Sequence, residues 1–482
     1  MLKPANFPPP RNVNYHGPMV AAKDSSPHST ALALFTVFCI YSRLHEIIPI
    51  LLQKTIPYVL SVMLIMVFLS ALMSGRLMHF VSSNTTFRYY VLFTLWMLPC
   101  SVFSFWPGGS VHLLIYGWLP VFVGIAGIGC MLYTWRDIRQ VRLMIAMSSV
   151  LIAVFSMVFG VFDENGRLLI RGGTLGNSND LALLVLVGLP FLFSYWLDKD
   201  SGNLAKIMAL MGIPLMILAV LRTGSRAGLL TLMMVLFLVF LLSGINRFKV
   251  LALGSLMALI AALALTAVNS MVVDRLATLF KDDNTSEATM STKHRTMKFF
   301  ESVEMTVRNP IFGVGPGVHV AAQADVDNKA GRRADWLVAH NSMTQISSET
   351  GFPGLILYSA AIFGSFWRLW KARRAFLRIP SLEGHANLLG MYLLSGISMF
   401  VLNLFGTNGY LPYMPLLLVL ISNVAITAQE SVEQERRKLA TSNAFPGNVN
   451  NSRGFVRPPV RPSFGRPAPI PVSRFAPSRP LR

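Results

Sequence analysis

The stretch "VAHNSMTQISSETGFPGLILYSAAIFGSFWRLWKARR", from Val338 to Arg374, changes character twice. It opens polar, with His340, Asn341, Gln345, Ser348 and Glu349. It turns apolar between Phe352 and Trp370, and it closes on Arg368, Lys371, Arg373 and Arg374. A helix needs about 20 mainly apolar residues to cross a bilayer, and residues 352–370 supply them. Cations gathered at one end, with Trp367 and Trp370 beside them, are how such a helix is oriented and anchored. Gly351–Phe352–Pro353–Gly354 breaks the polar segment from the span. The stretch reads as a transmembrane helix with a polar, helical prelude on its outward side.

The whole chain follows the same logic. Of its 482 residues 53% are hydrophobic and 13% charged, against about 25% charged in soluble domains. Twelve spans are predicted, at 30–50, 56–74, 88–106, 111–133, 141–162, 180–197, 204–221, 227–244, 249–268, 352–370, 386–405 and 410–428. The expected fold is therefore all-α, a polytopic membrane bundle of about 12 transmembrane helices. With the N-terminus inside, the short inward loops carry fourteen Lys and Arg, from Arg76 to Arg378, and the short outward loops carry six. That asymmetry satisfies the positive-inside rule and returns both termini to the cytoplasm.

One outward segment, 269–351, is far longer than the rest. The organisation expected is a disordered N-terminal extension at 1–29, a membrane domain at 30–428 and a basic Pro/Arg-rich disordered cytoplasmic tail at 429–482. The N-terminus has no apolar run behind a basic start, so no cleavable signal peptide is expected. The net charge of +20 lies in short loops and the tail; this points to membrane lipids as partners and away from nucleic acid. Cys39, Cys100 and Cys130 sit in apolar runs without paired spacing and read as core residues. Asp325-Val326-Asp327 resembles a metal-binding acidic pair, but no alternating βαβ pattern surrounds it. It reads as an exposed loop, and no metal site is predicted.

Outward polar groups are few. "LRTGSRAGLL" (Leu221–Leu230) sets Arg222 and Arg226 four residues apart, on one face if the segment is helical. Outward arginines run against the charge bias, and a planar, permanently charged donor suits a phosphate or diphosphate; the bland reading is that both snorkel to headgroups. In "TKHRTMKFFESVEMTVRNPIFGVGPG" (Thr292–Gly317), Met297, Phe300, Val303 and Val307 form an apolar stripe with His294, Arg295 and Lys298 opposite. This predicts an amphipathic helix over the membrane mouth, with a glycine turn after Pro310. Asn341, Gln345, Ser348 and Glu349 share one helical face, and His340 at its start has a side chain able to take a proton at neutral pH. Asp180, at the beginning of a span, calls for a charged partner, for which the arginines are candidates.

Three of these stretches, in this order, resemble the O-antigen ligase family of integral-membrane glycosyltransferases: "TGSRAGLL", "NPIFGVGPG" and "AHNSMTQISSETGFPGL". The likeness spans roughly residues 170–405, and its most specific part is the last. The superfamily also holds O-antigen polymerases and protein O-oligosaccharyltransferases. The resemblance implies an undecaprenyl-diphosphate-linked glycan donor, a hydroxyl acceptor, and transfer at the periplasmic face of the inner membrane without nucleotide, metal or other cofactor. In that chemistry Arg226 stabilises charge on the diphosphate, with Arg222 or Arg295 assisting. His340 is the base, and Asn341 and Glu349 orient it or the acceptor. A polysaccharide polymerase of the same superfamily is the alternative. A lipid-linked-oligosaccharide flippase fits less well, because the predicted spans are nearly free of the charges it should carry at depth.

Overall fold

The computed structural model describes residues 27–47, 55–171, 173–198, 201–243, 287–333, 339, 341–405 and 409–444. The ninth predicted span, at 249–268, and His340 lie outside them. The described chain is helical apart from one two-stranded hairpin, in which β1 (Val161–Phe162) pairs antiparallel with β2 (Leu168–Leu169).

The helices in order are α1 (Pro27–Ser42), α2 (Leu44–Ile47), α3 (Thr55–Met73), α4 (Arg76–Ser83), α5 (Thr85–Val102), α6 (Pro107–Met131, with a π-helical turn at Leu113–Trp118), α7 (Trp135–Phe159), α8 (Ser178–Leu197), α9 (Asn203–Arg222), α10 (Arg226–Ser243), α11 (Glu287–Arg308), α12 (His319–Lys329), α13 (Ser342–Phe376), α14 (Ala386–Asn403) and α15 (Tyr413–Ala444). Local chemistry sets several of their ends. Asn84 caps α5 by accepting the Phe87 N–H at 2.9 Å. Thr134 and Asp137 form a reciprocal capping box on α7, satisfying two donors that a bare helix start leaves open.

Among the described residues seven helices are long and apolar enough to cross a membrane, eight if a bent pair is counted as one span. The seven fall on the predicted spans at 111–133, 141–162, 180–197, 204–221, 352–370, 386–405 and 410–428. The bent pair holds the second, because α3 and α4 meet at 90° where Gly75 takes φ +67°. The third and eighth coincide with α5 and with α10, which is shorter. The first stops early. Arg43 adopts a left-handed φ of 49° and ends α1 after 16 residues, about 24 Å of helix and short of a full crossing. At the other end, α15 continues to Ala444, so the stretch expected to be irregular from 429 begins as helix. Residues 434–482 form a compact unit of their own, whose described part holds the Lys438–Glu435 ion pair.

Helix α8 is buried along almost its whole length and packs on α7, α9, α10 and α14. Gly188 lets α7 come close, since a Cβ there would lie 2.4 Å from Ser149 Oγ. Ser149 Oγ donates to Leu184 O at 2.6 Å, and Ser395 Oγ donates to Val187 O at 2.7 Å. Small residues and hydroxyl-to-carbonyl bonds of this kind hold helices together where burial from water supplies no drive. Leu95, Leu98, Met211, Phe237, Ile356 and Phe363 on other helices stay exposed. In water so much bare apolar surface would be a liability; against lipid it is the expected exterior.

Candidate functional site at one end of the bundle

Helix α13 begins with Asn341, whose Oδ1 accepts the N–H groups of Met343 and Thr344 at 2.9 and 3.1 Å. Its polar turns end at Gly351, where φ 70° and ψ −174° interrupt the helix. A side chain is impossible there, since a Cβ would lie 2.0 Å from Ile311 O. What presses on it is the glycine turn after Pro310. Val314 N–H donates to Ser348 O at 2.8 Å, Gly315 N–H to Glu349 O at 3.0 Å, and Phe352 N–H to Pro310 O at 2.8 Å. Gly313, Gly315 and Gly317 all take positive φ. Gly313 serves close approach to the α13 backbone at Glu349 and Thr350, while Gly315 packs on Ser104 and Ser110 and Gly317 on Leu113, the use to which such residues are often put.

Glu349 closes the same junction from its side chain. It is 1% exposed, and its Oε2 accepts Gly317 N–H at 2.8 Å. Gln345 Nε2 lies 3.4 Å from Oε1, and the His319 N–H and the Tyr410 hydroxyl also reach the carboxylate. His319 is 2% exposed; its Nδ1 is 3.0 Å from Ser348 Oγ and its Nε2 3.4 Å from Ser302 Oγ. Burial first, and the nearby Lys298 charge second, push its pKa down to about 4, so the ring is neutral at pH 7.

Lys298 corrects the reading of α11. The sequence puts it on a basic face with His294 and Arg295, yet it is 1% exposed and 3.0 Å from Glu301. His294 is exposed and Arg295 half-buried. The stripe of Met297, Phe300, Val303 and Val307 is the exposed side, Phe300 being 64% accessible. Lys298, Ser302 and Thr306 face inward, and Thr306 Oγ1 sits 2.9 Å from Ser347 Oγ. The Asp325–Asp327 pair is likewise helical, within α12, and Asp327 is buried against Arg332 at 2.7 Å. It is not an exposed loop.

The arginine motif is also rearranged. Arg222 ends α9 and Arg226 begins α10, with Thr223–Gly224–Ser225 turning between them. The two guanidiniums therefore do not share one helical face, as uninterrupted helix would require; they flank a turn, and both are half-buried. Gly224 takes φ +57°. Arg167, from the hairpin, donates to Thr223 O at 3.2 Å and to Asn179 Oδ1 at 3.3 Å. Ser225 Oγ donates to the same Asn179 oxygen at 2.7 Å. Arg222 Nη1 lies 3.8 Å from Met157 Sδ. Asp180 is buried, and no ion pair to it is found among the described residues; the arginine partner expected for it is not there.

The segment Gly409–Tyr413 links these two groups. Gly409 N–H donates to Gln345 Oε1 at 3.2 Å, and the Tyr413 hydroxyl is 3.3 Å from Thr174 Oγ1. Thr174 in turn donates to Glu46 Oε2 at 2.9 Å and accepts from Arg43 Nη2 at 2.7 Å. Four residues span at most about 14 Å. The Glu349 junction and the Thr174–Asn179 loop that holds the arginine turn thus lie at one end of the bundle. Asn341 and Glu349 stand two turns apart on α13, Arg222 and Arg226 on the neighbouring turn, and Arg295 on α11. His319, Thr174 and Arg167 carry much of this geometry and were not singled out from the sequence. A histidine two residues beyond a glycine turn has no spacing signature; its burial comes from the partner helices.

Fold and site define a helical membrane protein whose polar chemistry gathers at one end of a bundle with a lipid-facing exterior. Residues 211–359 match the family model described as O-antigen ligase. The matched interval runs from α9 into α13 and contains all three quoted motifs, so this part of the chain is similar to the O-antigen ligase family. The match and the apolar helices together support a membrane protein of the O-antigen ligase or polymerase type. A comparison with curated proteins finds no match.

Proposed function

We propose that the protein transfers a glycan from an undecaprenyl-diphosphate-linked donor to a hydroxyl acceptor at the periplasmic face of the bacterial inner membrane. The observation that carries this reading is the convergence of the arginine turn and the Glu349 junction at one end of the bundle. A diphosphate is already a good leaving group, so the reaction needs little acid catalysis. It needs cations on the phosphates, the role of Arg226 with Arg222 or Arg295. It also needs a base for the attacking hydroxyl, the role of His340. The acceptor oxygen bonds to the anomeric carbon as the sugar–phosphate bond breaks, the hydroxyl proton goes to His340, and the configuration inverts.

Asn341 and Glu349 take positioning roles in this scheme. The Asn341 oxygen is engaged in capping α13 and the Glu349 carboxylate in holding the glycine turn. Asn341, the neighbour of His340 in sequence, fixes the start of α13, and Glu349 fixes the glycine turn beside it.

The test is glycan transfer from a purified lipid-diphosphate donor. Arg226→Ala and His340→Ala are each expected to lose about 100-fold in rate. Full activity in His340→Ala would remove the base from the scheme. Ligase and polymerase separate in a deletion strain: free lipid-linked polymer marks a ligase, single repeat units a polymerase.

A further inference from the structure

A cavity of about 430 Å³ lies far from this chemistry, lined by Trp135, Arg136, Arg139, Gln140, Phe376, Leu382, His385 and Ser431. Three helices connect the two places. Helix α7 starts at the cavity with Trp135 and ends beside Arg222, which reaches Met157. Helix α13 starts at the Glu349 junction and reaches the cavity at Phe376. Helix α15 starts with Tyr413 and passes the cavity at Ser431. The 25 residues of α7 measure roughly 37 Å, a membrane thickness. The cavity therefore opens on the opposite membrane face, the one marked by Arg136, Arg139, Arg368, Lys371, Arg374 and Arg378.

Its walls have one sign of charge. Arg136 and Arg139 are exposed at the rim, and among the described residues no carboxylate lines it. Three acids adjoin lining residues in sequence, Asp137, Glu383 and Glu430, and none of them is in the lining; Asp137 is consumed in the capping box, where its Oδ2 accepts from Thr134 N at 3.0 Å and Thr134 Oγ1 at 2.7 Å. The helix start is thereby satisfied from within and is not the anion site. Arg139 Nη2 stands 3.0 Å from His385 Nε2. A guanidinium only donates, so Nε2 accepts and the imidazole proton sits on Nδ1, leaving a second donor beside the first. The Trp135 N–H is taken by Ser431 Oγ at 2.9 Å; its ring packs 5.9 Å from Phe376 and 5.7 Å from His385. The result is an apolar, aromatic floor beneath a cationic rim.

We infer that this cavity binds the phosphate headgroup of an anionic phospholipid of the leaflet opposite the transfer site. The guanidiniums engage the phosphodiester, and Phe376 and Leu382 receive the first carbons of the lipid. Apolar floor and phosphate are both satisfied by a lipid, whereas a free phosphate leaves the floor unused.

The full chain in detergent, titrated with phosphatidylglycerol or phosphatidylcholine, tests this through thermal stabilisation and native mass spectrometry. Phosphatidylglycerol is expected to bind about tenfold more tightly than phosphatidylcholine, and Arg139→Gln and His385→Gln to remove that preference. Arg374→Gln, an exposed change outside the lining, should keep it. Equal weakening in all three variants means a diffuse electrostatic surface and overturns the site. Competition by glycerol phosphate at concentrations equal to the lipid means a soluble phosphate ester is the occupant and overturns the lipid assignment. Should Arg139→Gln unfold, His385→Gln alone decides.

Discussion

His319 and Glu349 put two ionisable groups inside one polar junction, and each makes a measurable demand. Burial and Lys298 hold the His319 pKa near 4 in the fold, whereas an unfolded histidine titrates near 6.5. Between those values the unfolded chain binds more protons. Stability is therefore fully present above about pH 6.5 and falls as the pH drops toward 4, by up to about 3 kcal/mol. Thermal unfolding in detergent across that window should show the slope, and His319→Gln should flatten it; an unchanged slope assigns it to other groups. Glu349→Gln replaces a carboxylate acceptor of the Gly317 N–H by a neutral one and should cost about 1–2 kcal/mol. Transfer activity should fall with it, through misplacement of the helix start. If activity is lost with no change in stability, Glu349 touches the substrate directly.

Two elements bend at glycine for opposite reasons. Gly75 turns α3 into α4 with φ +67°, and an added Cβ would meet nothing within 4 Å, so Gly75→Ala bears only the left-handed backbone cost of about 1–2 kcal/mol. Gly351 breaks α13 at φ +70° with Ile311 O only 2.0 Å from where a Cβ would stand. Gly351→Ala must therefore also push the glycine turn off the helix. Its loss of stability should exceed that of Gly75→Ala by several-fold, and transfer should fail with it. Comparable unfolding temperatures for the two variants would mean that the turn is not clamped. Helix α11 shows how an element's face is chosen. Met297, Phe300, Val303 and Val307 are as periodic as a core stripe, but Lys298, Ser302 and Thr306 are the side that meets α12 and α13. Beside a membrane, polar residues are drawn to the protein interior and apolar ones to the outside.

The whole molecule has polar ends of different kind. One gathers the arginine turn and the Glu349 junction; the other gathers cations around a cavity. In the orientation expected from the loop charges the first faces outward. Cysteine labelling checks it with little background, since Cys100 and Cys130 are buried and Cys39 half-buried. Lys329→Cys, on the exposed end of α12, should react with an impermeant reagent in intact cells. Arg136→Cys, at the cavity rim, should react only after permeabilisation. The reverse pattern would invert the topology and remove the periplasmic transfer scheme.

Hydrophobic run length, a local quantity, was enough for the sequence to determine a helical membrane protein and the positions of the seven long apolar helices found among the described residues, and the quoted motifs fall within the stretch that matches the O-antigen ligase model. Each depends on what one segment does in a bilayer, and no partner segment enters the argument. Tertiary structure alone decided that Arg222 and Arg226 flank a turn, that Lys298 and His319 are buried, and that Glu349 grips Gly317. Those outcomes depend on which donors and acceptors distant segments bring to one place when water is excluded. A residue's own neighbours in sequence carry no record of that pairing.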